Sequence, residues 1–221
     1  MAVSLDISAR QARRDGPAPE IAPALTAESK AMSLKFEIQP TAHPTPETER
    51  AARLKDPGFG RIFTDHMAIV RYNQAKGWHD ARVESRANFP LDPALAVLHY
   101  AQEIFEGLKA YKRDDGGVNL FRPDANAKRF HNSAERMAMA PIPAPVFIEA
   151  VEQLVRIDRA WIPGGEGSLY LRPFMIASEV FLGVKPSAEY ILPTPLEHSQ
   201  EDCPDGGLQA WLVVLGVRLS M

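Results

Sequence analysis

The feature of this sequence that most constrains its fold is an alternation of strand-like and helix-like segments across residues 59–178. Residues 62–72 are rich in β-formers and lead into a polar turn at residues 73–77, which is typical of a strand entering a tight connection. Residues 124–139 carry apolar side chains three and four positions apart, the spacing of a helix with one buried face. This alternation predicts an α+β or α/β domain.

Three further elements follow from the same periods and from turn residues. Asp92-Pro93 resembles a helix start, with apolar residues at helical spacing as far as Phe105. Residues 147–161 predict another helix, which ends at a Pro-Gly-Gly sequence. Residues 108–121 alternate around an Asp-Asp-Gly-Gly turn, which predicts a β-hairpin.

The apolar segment at residues 168–178 is predicted to be one strand. Tyr170 and Arg172 are two positions apart, so they point to the same face of that strand. An arginine in an apolar strand needs an anion or solvent, because a buried unpaired charge is costly. A bound carboxylate or phosphate ligand and an internal salt bridge are equally good interpretations.

Composition excludes several classes of protein. With 45% hydrophobic and 24% charged residues, the chain has enough apolar material for a globular core. A net charge of −3 gives no basic field for nucleic acid, and no stretch is long enough to span a membrane. The six histidines lack metal-ligand spacing, so we expect no metal. The single cysteine, Cys203, favours a reducing compartment such as the cytoplasm.

Two changes in sequence character divide the chain. Residues 1–31 mix alanine, proline and short polar runs, and we expect a disordered or mis-called N-terminal extension. Residues 32–190 are predicted to form one domain. Residues 191–221 begin as a polar, turn-rich stretch and continue into an apolar run at residues 208–217, which predicts a separate tail. The 19 prolines point to many short turns.

Three short segments mix polar and apolar residues in ways that admit a structural or a functional interpretation. Residues 63–67 fit a strand end, residues 99–111 fit an amphipathic helix running into a strand, and residues 168–173 hold the arginine described above.

Together these segments resemble the branched-chain amino acid aminotransferases, in the fold-type-IV group of pyridoxal phosphate enzymes. The similarity extends over residues 36–190, and its strength lies in the order and spacing of the motifs. The residues that carry it are Phe59-Gly60, Phe63-Thr64-Asp65-His66-Met67, Tyr100, Phe105-Glu106-Gly107-Leu108-Lys109-Ala110-Tyr111, Leu120-Phe121-Arg122-Pro123, Arg129, Ser168-Leu169-Tyr170-Leu171-Arg172-Pro173 and Leu182-Gly183-Val184.

The resemblance implies an α+β fold: the small N-terminal domain of the fold-type-IV (D-amino acid aminotransferase-like) fold, with the large C-terminal domain absent. It implies transamination of leucine, isoleucine or valine with 2-oxoglutarate, using pyridoxal 5'-phosphate. A D-amino acid aminotransferase or an aminodeoxychorismate lyase is a weaker alternative within the same group, against which the Phe-Thr-Asp-His-Met and Tyr170-x-Arg172 segments argue.

Site roles follow from the resemblance by position. Arg129 matches the arginine that binds the cofactor phosphate. Arg172 matches the residue that helps the pocket accept the side-chain carboxylate of glutamate. Leu182 and Val184 match a loop that completes the site of the partner subunit, which implies a homodimer. The walls of the aliphatic pocket are matched by Phe59, Tyr100, Phe105 and Tyr170.

The resemblance also implies a lysine that this sequence lacks. In the family a lysine in a Lys-x-Gly-Gly-Asn-Tyr context forms the Schiff base with the cofactor, but the last lysine here is Lys185. We therefore expect that this chain has no Schiff-base lysine and is inactive. We also expect that its sequence is truncated or frameshifted after the small domain. A non-catalytic isolated domain is the alternative.

Overall fold

The computed structural model of the chain describes residues 34–55, 59–165 and 167–199. The predicted extension at residues 1–31, and residues 200–221 with Cys203 and the apolar run, lie outside the described residues. Within the described part, strands and helices combine in one mixed unit, which confirms the α+β class. The strands are β1 (Glu37–Ile38), β2 (Phe59–Asn73), β3 (Gly77–Ser85), β4 (Glu103–Phe105), β5 (Leu108–Lys112), β6 (Val118–Leu120), β7 (Ser168–Leu171), β8 (Phe174–Ala177) and β9 (Glu189–Ser199). The helices are α1 (Glu47–Leu54), α2 (Ala96–Tyr100), α3 (Pro123–Arg136) and α4 (Ala144–Ile157), with a 3-10 turn at Arg159–Trp161.

Strand β2 is the longest in the sheet and pairs antiparallel with β3 on one side and β9 on the other. The main path of the sheet runs β1-β3-β2-β9-β7-β5-β6, and β8 joins β9 to β4. Residues 67–70 of β2 are buried, as expected for a strand with neighbours on both edges. The predicted turn is confirmed, and β3 begins at Gly77 with a φ of 67°, a conformation that favours glycine.

Helices α3 and α4 supply the other half of the core. Their apolar faces meet at Phe130 and Phe147, whose ring centroids lie 5.2 Å apart. Both side chains are fully buried, as are Ala150, Val151 and Leu154 on α4. The 3.6-residue pattern therefore predicted the buried faces of both helices correctly. The predicted hairpin is also confirmed as β5 and β6.

The helix predicted from Asp92 toward Phe105 is wrong in its second half. Helix α2 covers only Ala96–Tyr100, and Ala101 ends it in the left-handed conformation with a φ of 49°. Residues 103–105 then form β4, which pairs with β8. The hydrogen bonds available from β8 outweigh the helical spacing, which is a weak preference in so short a segment.

The strand predicted at residues 168–178 is two strands. Strand β7 pairs with β5 and β9, and β8 pairs with β4 and β9. Arg172 and Pro173 separate them, and Pro173 has no N–H to donate to a ladder. The main chain stays tied to its neighbours because Arg172 N–H donates to Pro195 O at 3.1 Å and Glu106 N–H donates to Pro173 O at 2.9 Å.

The domain boundary predicted at residues 190/191 falls inside β9. Leu192, Thr194 and Leu196 are fully buried at alternate positions of that strand, so residues 191–199 belong to the same sheet as the domain before them. The prolines at positions 193 and 195 suggested a turn, since proline rarely lies between two strands. Here the carbonyl of Pro195 still accepts a hydrogen bond, from Arg172.

His66 ties two distant segments to β2. Its Nδ1 lies 2.6 Å from Asp158 Oδ1, and its Nε2 accepts a hydrogen bond from Thr41 N–H at 2.9 Å. Since Nε2 accepts, the proton of the neutral ring is on Nδ1 and is donated to Asp158. His66 and Asp158 are 5% and 2% exposed, so this part of the Phe-Thr-Asp-His-Met motif is buried structure rather than a strand end at solvent.

Asp65, the residue before His66, links the same two segments to β2. Its carboxylate accepts hydrogen bonds from Thr45 Oγ1 at 2.6 Å and from Trp161 Nε1 at 2.9 Å. Burial by itself raises the pKa of Asp65, but these hydrogen bonds outweigh it and leave the pKa below its ordinary value. The adjacent residues Asp65 and His66 thus hold residues 41–45 and 158–161 against β2 through side-chain hydrogen bonds.

Candidate active site

A groove of about 310 Å³ lies where β5, β7 and the first two turns of α3 meet. Three of the residues that line it are cations, Lys109, Arg122 and Arg129. Such a concentration of positive charge, with planar guanidinium donors, suits a phosphate or a carboxylate. The described residues that line the groove are Gly107, Leu108, Lys109, Tyr111, Phe121, Arg122, Ala125, Asn126, Arg129 and Tyr170.

Arg129 forms a two-pronged ion pair with Glu106. Its Nε donates to Oε1 at 2.9 Å and its Nη2 donates to Oε2 at 2.8 Å. The Arg129 side chain is 59% exposed, whereas that of Glu106 is only 11% exposed. The hydrogen bond from Arg129 to Glu106 is the main reason that the pKa of Arg129 lies above its ordinary value, so the guanidinium stays cationic.

Asn126 also binds the Glu106 carboxylate. Its side chain is buried, and Nδ2 donates to Glu106 Oε2 and to Gly107 O, both at 2.9 Å. Asn126 and Arg129 are three positions apart on α3, so they share a face of the helix. Glu106 and Asn126 were not identified as site residues from the sequence. A signal for Asn126 was available, because it is a polar residue on the apolar face of a predicted helix, one turn before Arg129.

Tyr170 and Arg172 lie together with Phe105. The Arg172 guanidinium carbon is 4.7 Å from the centre of the Phe105 ring and 5.1 Å from that of Tyr170, within the range of cation–π attraction. The prediction that Tyr170 and Arg172 share a face is therefore confirmed, although the strand ends between them. The stack presents two aromatic rings and one cation in a single surface.

Leu182 and Val184 project from the loop between β8 and β9. They are 65% and 95% exposed. The loop below them is held at its base by Glu179, which accepts hydrogen bonds from Lys185 Nζ and Ala188 N–H, both at 2.7 Å. An apolar tip on a braced loop is a surface suited to contact with another molecule.

The other two predicted pocket residues, Tyr100 and Phe59, are not among the described residues that line the groove. Tyr100 ends α2 and its side chain is 43% exposed. Phe59 begins β2, and its side chain lies outside the described residues. Of the predicted site residues, Arg129 and Tyr170 are the ones that line the groove among the described residues.

The same described residues contain no group of three or more His, Cys, Asp or Glu side chains that could hold a metal ion. They also contain no helix both long enough and apolar enough to cross a membrane. No protein-family model matches the chain.

Comparison with known sequences gives close relatives. A probable branched-chain-amino-acid aminotransferase of Streptomyces coelicolor is 56% identical over 158 residues, which cover 71% of this chain and 44% of that protein. The chain belongs to the branched-chain aminotransferase family. The branched-chain-amino-acid aminotransferase of Mycobacterium tuberculosis is 49% identical over 160 residues, covering 72% of this chain and 44% of that protein. The chain thus spans less than half the length of the curated family members it matches.

Solved structures of family members overlap the chain partially. A branched-chain aminotransferase from the thermophilic archaeon Thermoproteus uzoniensis, solved with norvaline, gives a TM-score of 0.45 at 19% identity, covering 62% of this chain and 41% of that one. The Escherichia coli branched-chain amino acid aminotransferase gives a TM-score of 0.43 at 21% identity, covering 61% and 40%. The family assignment rests on the sequence identities.

Proposed function

We propose that this chain forms the small-domain side of a branched-chain amino acid aminotransferase site. The reaction would convert leucine, isoleucine or valine and 2-oxoglutarate into branched 2-oxo acids and glutamate. The main support for the proposal is that motif residues far apart in sequence lie close together. Arg129 and Tyr170 line one groove, and the Arg172 guanidinium contacts the rings of both Tyr170 and Phe105.

The residues of the groove fit the phosphate of pyridoxal 5'-phosphate. Arg129 and Arg122 offer guanidinium donors, and Lys109 adds a third positive charge. A phosphate dianion gains charge-assisted hydrogen bonds from such groups. The cofactor, when bound, supplies an electron sink for bond changes at the substrate α-carbon.

The stack of Phe105, Arg172 and Tyr170 fits both kinds of substrate. The aromatic rings provide apolar walls for an aliphatic side chain, and pockets of this type separate substrates that differ by one methylene only weakly. The Arg172 cation beside them supports binding of the side-chain carboxylate of glutamate. We include Tyr100 and Phe59 in the same pocket on the basis of their positions in the motifs.

We further propose that the 221 residues alone do not attach the cofactor covalently. No lysine follows Lys185 in the sequence, and the family's attachment site lies beyond that loop. The chain taken alone would then be a non-catalytic domain that retains part of a phosphate site. Transamination of leucine by the purified chain would contradict this. Covalent attachment would contradict it as well: a Schiff-base absorption band with pyridoxal 5'-phosphate, followed by borohydride reduction and a peptide map that places the cofactor on one lysine.

We also propose that the protein acts as a cytoplasmic homodimer in which the Leu182–Val184 tip contacts the partner subunit. Exposure of 65% and 95% for these two apolar side chains supports this. Sedimentation of the chain and of a Leu182→Ser/Val184→Ser variant tests it. A concentration-dependent dimer that the double substitution abolishes is the expected result, and equal sedimentation of the two would contradict it.

The cofactor proposal is tested with pyridoxamine 5'-phosphate, which has no aldehyde and so cannot react with surface lysines. Calorimetry should detect binding that weakens at least about tenfold in Arg129→Gln. Arg136→Gln, at the exposed end of the same helix, is the matched control and should bind like wild type. Equal affinity of Arg129→Gln and wild type would refute the role of Arg129.

A further inference from the structure

The Arg129 guanidinium is held along one of its two edges. Glu106 receives the N–H of Nε and one N–H of Nη2. A guanidinium can form a second two-pronged contact through Nη1 and the other N–H of Nη2. Among the described residues, Nη1 of Arg129 has no hydrogen-bond partner, so this end edge remains available to an anion.

Glu106 is itself fixed more firmly than the arginine it binds. Its carboxylate also accepts from the buried Asn126, and its main-chain N–H donates to Pro173 O. The Glu106 side chain is 11% exposed, against 59% for the Arg129 side chain. Glu106 is the less exposed partner and has the additional hydrogen bond from Asn126. We therefore take Glu106 as the fixed member of the pair, which determines where the Arg129 guanidinium lies.

We propose that Glu106 is a positioning residue for phosphate binding, which holds the Arg129 guanidinium with its end edge directed to the groove. This rests on the proposed function, in which Arg129 binds the cofactor phosphate. A long exposed arginine loses side-chain freedom when it binds a ligand, and Glu106 removes that loss before the phosphate arrives.

The charge of Glu106 also opposes the binding of an anion. The Arg129 cation that is paired with Glu106 offsets that repulsion, whereas the loss of Arg129 alignment acts directly on two hydrogen bonds to the anion. The alignment effect therefore dominates, and removal of the Glu106 charge weakens binding instead of strengthening it.

The experiment measures pyridoxamine 5'-phosphate and pyridoxamine binding by calorimetry to the full 221-residue chain and its variants. Glu106→Gln keeps the size of the side chain and loses one acceptor; it should weaken pyridoxamine 5'-phosphate binding about tenfold without changing pyridoxamine binding. Glu106→Asp, a second variant that keeps the charge but shortens the reach, should weaken it similarly. Glu103→Gln, on the neighbouring strand β4 with an exposed side chain, is the control and should have no effect.

The dependence on Arg129 separates positioning from a general structural role. In an Arg129→Gln background, Glu106→Gln should cause no further loss, because coupled residues are not additive. The Nε–H resonance of Arg129 in ¹H–¹⁵N spectra should be protected in the wild-type chain without ligand and lost in Glu106→Gln.

Two failures are distinguishable. If the wild-type chain binds no pyridoxamine 5'-phosphate, or Arg129→Gln binds it normally, the proposed phosphate site is wrong and the role of Glu106 falls with it. If Arg129→Gln weakens binding while Glu106→Gln leaves it unchanged or tightens it, the phosphate site stands and the positioning role is overturned. Additive losses in the double variant, or an unchanged Arg129 resonance, would overturn it as well.

Discussion

Gly107 lies so close to the Tyr170 side chain that a Cβ at position 107 would collide with the ring in its present position. A Cβ at position 107 would overlap the Tyr170 hydroxyl and lie 2.8 Å from the ring carbon Cζ. Gly107 directly precedes β5, and the paired strands β5 and β7 fix the main chain on both sides, so the overlap is relieved by moving the Tyr170 ring. The absence of a Cβ at position 107 therefore allows the Tyr170 ring to lie this close to the main chain beside the groove.

Gly107→Ala should displace the Tyr170 ring. Overpacking of this kind costs about 1–3 kcal/mol of the free energy of unfolding, and the displaced ring should also weaken pyridoxamine 5'-phosphate binding. Urea denaturation and calorimetry measure the two effects. Gly164→Ala is the control, since nothing lies within 4 Å of the added methyl group. If the two alanine variants were equally stable, the predicted overlap would be wrong.

Asp65 should make the stability of the protein depend on acid. Its pKa is lowered overall, since the hydrogen bonds from Thr45 and Trp161 outweigh the effect of burial. A carboxylate with a lowered folded-state pKa stabilises the fold above its unfolded pKa of about 3.9, and this stabilisation is lost as the pH falls through the folded value.

Asp65→Asn should thus lower the thermal midpoint most at neutral pH, and its difference from wild type should shrink below about pH 4. Thermal scans across the pH range measure this difference. Asp114→Asn, in an exposed turn, should leave the pH dependence unchanged. A difference between Asp65→Asn and wild type that is constant with pH would show that the Asp65 charge has no part in the link.

Asp158→Ala should be strongly destabilising. It removes the acceptor of both the ring N–H and the main-chain N–H of His66, and buried donors left without partners cost about 1–3 kcal/mol each. We expect a loss of about 3 kcal/mol by urea denaturation and faster hydrogen exchange at Thr41 N–H, which donates to His66. Asp114→Ala is the exposed counterpart. A loss no greater than that of the exposed variant would contradict a structural role for the His66–Asp158 pair.

Glu179→Gln should loosen the loop that carries Leu182 and Val184 without unfolding the protein. The hydrogen bond from Lys185, then that from Ala188 N–H, hold the pKa of Glu179 below its ordinary value. An exposed pair of this kind contributes only about 0.2–1 kcal/mol to stability. Hydrogen exchange in residues 180–188 should therefore rise while the urea midpoint stays nearly constant.

Glu189→Gln, an exposed carboxylate beyond the same loop, is the control for that experiment. Unchanged exchange in the loop of Glu179→Gln would mean that other contacts brace it. One such contact is visible: the Lys185 ammonium lies 4.4 Å from the centre of the Phe181 ring.

Local sequence patterns predicted the elements whose partners are near in sequence. The hairpin β5–β6 and the buried faces of α3 and α4 followed from turn residues and period alone, because their main contacts lie within or next to each segment. The predictions failed where distant strands compete for the main chain. Residues 103–105 leave the helical pattern to pair with β8, and β9 continues past the predicted boundary because β2 and β7 flank it.

The sequence by itself determined the α+β class, the family motifs and the cationic residue Arg129, since these depend on residue types and their order. Only the tertiary structure decided how that cation is held. Glu106 and Arg129 are 23 positions apart, and Asn126 reaches Glu106 from a different element. No local period links a strand end to a helix face; their meeting depends on how α3 packs against the sheet, and this sets which edge of the guanidinium remains open.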